Sequence, residues 1–173
     1  MRTWRIALGM LGLSLLAGCG WEPLYADRES GPADAELRAI RVLPIPERIG
    51  QNLALALRTS LSPGGEPTPQ HYLLRTTLQV ARTDLGIQTQ GFGTLARVDA
   101  FATFTLGDLR TGAQLFAGNS HAAESFTINS NEYSDVVAEE DARNRAVEQL
   151  RGDIVNRLTL GLQRRAALGA AKP

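Results

Sequence analysis

Few side chains in this 173-residue sequence could do chemistry, and most are wrongly spaced for it. His71 and His121 are the only histidines. Each falls in a predicted strand with no serine elbow and no acidic orienter at useful spacing, so no catalytic triad is read from them. Gly91-Phe92-Gly93-Thr94-Leu95-Ala96 matches the dinucleotide fingerprint G-x-G-x-x-A, which requires a strand before it and a helix after it. Here a strand follows, and the segment reads as a glycine loop between two strands. Glu139-Glu140-Asp141 lacks the glycine-containing loop of a cation site and reads as a helix-capping cluster at a positive helix end. No catalytic residue, metal or cofactor is expected, and no enzyme is indicated.

Two residue classes remain. Seventeen of the 18 basic residues are arginine and Lys172 is the only lysine, so any positive site is built from planar guanidinium groups suited to phosphates. Arg75, Arg82 and Arg97 lie on predicted strands or their ends, where they are candidates for contact with anionic lipid phosphates. The alternative is a solvated outer sheet face.

The other class is the single cysteine, Cys19, which excludes an internal disulfide and a multi-thiolate metal site. Arg2 and Arg5 form a positive n-region, and Ile6 to Ala17 is an uncharged apolar stretch too short to span a bilayer. Leu16-Ala17-Gly18-Cys19 resembles the bacterial lipobox, with cleavage between Gly18 and Cys19. The Cys19 thiolate is the nucleophile that forms a thioether to diacylglycerol. The alternatives are a buried structural cysteine or a chance match. Palmitate-like acyl chains on Cys19 anchor a domain without a spanning helix. Gly20, with no aspartate in its place, points to the outer membrane, with the chain on the periplasmic side. The formal charge of +0 gives no footprint for nucleic acid.

Residues 1–18 are thus expected to be a lipoprotein signal peptide, 19–36 a lipidated collar and linker, 37–165 a single domain and 166–173 a tail. In the collar, Trp21, Leu24 and Tyr25 suit a membrane interface or a partner. A short strand is predicted around Ala39 to Leu43 and a helix from 46 to 61, with Ile49, Leu53, Leu57 and Leu61 on one stripe. A proline- and glycine-rich loop follows. From His71 the period becomes two, with Tyr72, Leu74, Thr76, Leu78 and Val80 on one face. A second alternating run puts Ala96 to Leu106 on one face and Arg97, Asp99, Phe101, Thr103 and Thr105 on the other. A turn at Gly107 to Gly112 leads to a strand from Ala113 to Ser125. A long helix beginning near 135 carries Ala142, Ala146, Leu150, Ile154, Leu158 and Leu162 on one stripe. The predicted fold class is α+β, a two-layer sandwich of a four-stranded mixed sheet with two helices packed on one face.

The segment from Leu16 through Cys19-Gly20-Trp21-Glu22-Pro23-Leu24-Tyr25, followed by strand, helix, three strands and a long C-terminal helix, resembles the lipopolysaccharide-assembly lipoprotein LptE family. The Arg-rich, Lys-poor composition suggests an alphaproteobacterial type. The resemblance implies a non-catalytic plug in the outer-membrane β-barrel LptD, assisting lipopolysaccharide assembly at the cell surface. It implies LptD and lipopolysaccharide as partners, with only Cys19 carried over by position. An auxiliary subunit of another lipid transport system is the alternative.

Overall fold

The computed structural model describes residues 32–86, 94–128 and 131–170. Cys19, the signal segment, Trp21 to Tyr25 and the glycines at 91 and 93 lie outside them.

The first element is a helix, α1 (Pro32–Arg38), in a stretch expected to be linker. At a first helical position the fixed φ and missing N–H of Pro32 suit a helix start, and Ala35, Glu36 and Leu37 continue it. The domain therefore has three described helices where two were expected. Next comes β1 (Ile40–Val42), too short to stand alone, pairing in parallel with the start of β2 (Tyr72–Asp84). Parallel neighbours need a crossover, which α2 (Arg48–Leu61) supplies. β3 (Thr94–Asp108) and β4 (Gln114–Ile128) continue as an antiparallel meander, and the sheet order is β1-β2-β3-β4. The sheet is mixed, as expected, and open. α3 (Glu132–Ala170) has 39 residues, starts before the predicted 135 and continues through 166–170, where a tail was expected. Ala166, Ala167 and Leu168 are strong helix formers and carry the helix past the predicted end.

The period-two runs dictate which face is covered. Tyr72, Leu74, Ala100, Ala102, Phe104, Leu106 and Ala122 join Leu53 and Leu57 of α2 and Ala146, Leu150, Ile154 and Leu158 of α3 in one buried cluster. A second cluster joins Ala96, Val98 and Phe126 to Ala142. The alanines on both sides let α3 lie close to the strands. Opposite Phe104 in the β3–β4 register stands Gly118, where a Cβ would come within 2.8 Å of the Phe104 ring. The ring fills the space that a side chain would take.

Two local features fix the ends of these elements. Asp108 closes the β3–β4 turn by accepting hydrogen bonds from the backbone N–H of Arg110 (2.8 Å) and Thr111 (3.1 Å), and Gly112 takes φ 69. Glu47 enters α2 at φ 64 and ψ 160 without a side-chain cap, a backbone region suited to glycine.

Candidate contact surface on the sheet

Strand parity sorts the three candidate arginines onto different surfaces. Arg82 shares its face with Leu78 and Val80 and so points toward the helices. Its Nε donates to Asp84 (3.1 Å), its Nη1 donates to Glu139 of α3 (2.6 Å), and its guanidinium lies 5.4 Å from the centre of the Phe126 ring. The Asp84 carboxylate first, then Glu139, pushes its pKa further up. Both carboxylates and an aromatic ring engage this guanidinium, which ties the sheet to the helix.

Arg97 lies on the opposite, uncovered face. Its Nε donates to Asp99 (2.9 Å), and the other oxygen of Asp99 sits 3.4 Å from Nε2 of His121. His121 is the cross-strand partner of Phe101, and their rings stack at 4.2 Å with an interplanar angle of 19°. Arg97 is the main cause that holds the Asp99 carboxyl below its ordinary range; burial opposes it and His121 adds to it.

Arg75 lies on the same open face, but its register partner is Thr105, eight residues along β3 from Arg97. At about 3.3 Å per residue that separates them by about 26 Å. Arg75 is exposed and has no ion pair among the described residues. The fold thus does not bring the three arginines into one patch. Arg82 is on the wrong face, because an even-numbered position on β2 points to the core. Arg97 is already paired, and only Arg75 keeps an uncommitted guanidinium.

Around the Arg97–Asp99–His121–Phe101 group, the open face is small and neutral, with Thr77, Gln79, Thr103, Asn119 and Ala123 exposed. The acidic orienter that spacing did not show for His121 is Asp99, brought across by the β3–β4 register. The signal in the sequence was Asp99 and Phe101 on the polar parity of the second run; the register itself was not readable. Among the described residues no hydroxyl hydrogen-bonds to the His121 imidazole, and no group of three or more His, Cys, Asp or Glu side chains is placed to hold a metal ion. His71 stands just before β2, its ring edge-on to Tyr72 at 6.2 Å.

The acidic run at 139–141 does not cap α3, whose first turn carries Glu132 and Asp135. Glu139 pairs with Arg82 and Arg143, Glu140 with Arg48 of α2 (3.2 Å), and Asp141 with Arg145. The helix begins a turn earlier than expected, which moves these carboxylates into its body, where they meet cations from neighbouring elements. Among the described residues no helix is long and apolar enough to cross a membrane.

No protein-family description and no curated protein matches the sequence. Solved structures do match the fold. A candidate lipoprotein from Caulobacter crescentus CB15 superposes with a TM-score of 0.61 at 20% identity, over 76% of this chain and 96% of that one. A minor lipoprotein from Acinetobacter baumannii gives 0.57 at 17% identity, over 71% and 92%. At these identities the likeness is one of fold. Structural neighbours of the chain are bacterial lipoproteins.

Proposed function

We propose that the chain is a lipid-anchored lipoprotein of the outer membrane, facing the periplasm, that plugs an LptD-like β-barrel and assists lipopolysaccharide assembly without catalysis. The observation that carries this reading is a fold shared with bacterial lipoproteins, joined to a lipobox-like Leu16-Ala17-Gly18-Cys19. In this reading the helices cover one face of the sheet as a two-layer sandwich. The uncovered face, with Thr77, Gln79, Thr103, Asn119 and Ala123 exposed on it, lies against a barrel wall. Cys19 carries the acyl chains, and Arg75 is the arginine left to meet a lipopolysaccharide phosphate. Arg82 and Arg97 act within the fold.

The test is affinity purification of the tagged full chain from outer membranes in detergent, with mass spectrometry of what co-purifies in near-equal amount. One large β-barrel protein is the expected result, lost on Cys19→Ala if the anchor delivers the chain. Recovery of an inner-membrane transporter, or of no partner, overturns the plug.

A further inference from the structure

A polar cleft of about 460 Å³ opens at the end of the domain where α1, the start of β2, the β3–β4 turn and the last turns of α3 meet. Its volume is that of a small-molecule site. Two polar side chains in its lining, Tyr72 and Asp108, are more than nine-tenths buried. The Tyr72 hydroxyl donates to Oε2 of Glu36 (3.0 Å), and Asp108 is locked by the two backbone N–H groups of its turn. These contacts make the cleft a fixed shape.

The balance of donors and acceptors says what fits. Arg110 makes no side-chain hydrogen bond among the described residues, and the same holds for the ring of His71. Arg165 sits 3.8 Å from Asp108, an attraction of charges that leaves its N–H groups unspent. The spare acceptors are the second oxygen of Glu36, whose partner oxygen serves Tyr72, and Oδ2 of Asp108, whose Oδ1 takes both turn N–H groups. Two guanidinium groups and an imidazole thus line the cleft with free donors, beside two half-used carboxylates, Glu36 and Asp108. The fixed charges of Arg110, Arg165, Glu36 and Asp108 cancel, so a dianion such as phosphate would leave the cleft negative. A molecule carrying one carboxylate and one ammonium leaves it balanced, and the planar fork of arginine matches a carboxylate.

We propose that this cleft binds an α-amino carboxylate, with the carboxylate held by Arg110 and Arg165 and the ammonium by Glu36. The argument for this site does not use the barrel-plug reading. The two histidines report it: His71 lines the cleft and His121 does not. Alanine of either hand is titrated into the detergent-solubilised full chain while the two imidazole proton resonances are followed by NMR, assigned with His121→Gln. A saturable shift of the His71 signal alone is expected. Arg110→Ala should weaken binding about tenfold or more, because a charge-assisted contact is lost. Glu36→Gln should weaken alanine binding and leave acetate binding unchanged. The proposal is overturned if no saturation is reached by about 10 mM, weaker than any useful recognition of so small a ligand. It is also overturned if inorganic phosphate binds more tightly than alanine, if both histidine signals move together, or if Arg110→Ala has no effect in a chain whose melting is unchanged.

Discussion

If Arg82 is structural, its removal should cost stability in an amount that can be worked out in advance. Arg82 and Glu139 are partly exposed, at 36% and 18%, so their ion pair contributes about 0.5–1 kcal/mol. The guanidinium over Phe126 adds about 0.5–1 kcal/mol. Arg82→Ala should therefore destabilise by about 1–2 kcal/mol, a fall in Tm of about 3–8 °C for a domain of this size. Glu139 also holds Arg143, so Glu139→Ala alone overstates the contact, and the double mutant is needed. Thermal melts of wild type, both single variants and the double variant, followed by circular dichroism, should give a coupling of about 0.5–1 kcal/mol. Arg75→Ala, on the open face with no partner, should stay within about 0.5 kcal/mol of wild type. An Arg82→Ala chain as stable as wild type, or a coupling of zero, would refute the assignment of Arg82 to the fold and return it to the list of ligand contacts.

Three further perturbations test the packing and the open face. Gly118→Ala should destabilise by about 1–3 kcal/mol, because the Cβ would stand 2.8 Å from a fully buried Phe104 ring, whereas Gly161→Ala, which meets Phe116 at an ordinary 3.5 Å inside a helix, should stabilise by about 0.5–1 kcal/mol; denaturant melts read both. Glu47→Gly should raise stability by about 1 kcal/mol in the same assay by releasing the strain of φ 64, and a loss would show that Glu47 is held there by a contact worth more than the strain. Because the Asp99 carboxyl is held below its ordinary range, its pairing stabilises the fold above pH of about 4 and is lost as the pH falls through the lowered value; Asp99→Asn should flatten that part of the acid melting profile, and an unchanged profile would count against the Arg97–Asp99 pair.

What the sequence made legible follows the physics of each signal. The stripes of α2 and α3 and the alternation of β2 and β3 were readable because burial acts on every second or every third-to-fourth residue, and Leu53, Leu57, Leu150 and Ile154 are indeed buried. The strand expected at Ala96 is present as β3, which begins at Thr94. α1 was missed because its one apolar side chain in the last turn, Leu37, gives no period to read, and Pro32 signals a loop as readily as a helix start. The partners of Asp99 and Glu139 were missed because they depend on cross-strand register and on where α3 begins, and neither is set by neighbours in the chain.

Parity alone could have separated Arg82 from Arg75 and Arg97, since it shares the even positions of Leu74, Leu78 and Val80. The preference for arginine over lysine then has a structural reading as well as a phosphate-binding one. Arg82 bonds Asp84 and Glu139 at once, and Arg145 bonds Glu124, Asp141 and the backbone oxygen of Ser125, joining α3 to β4. Arg151 reaches both Glu148 and Ser60 of α2. A fork with five fixed donors can hold two or three elements together, whereas an ammonium on a flexible stem acts as one point charge. Much of the arginine in this chain is thus spent in stitching the long helix to the sheet and to α2. Arg75 on the open face and Arg110 at the cleft are among the arginines whose donors stay free among the described residues.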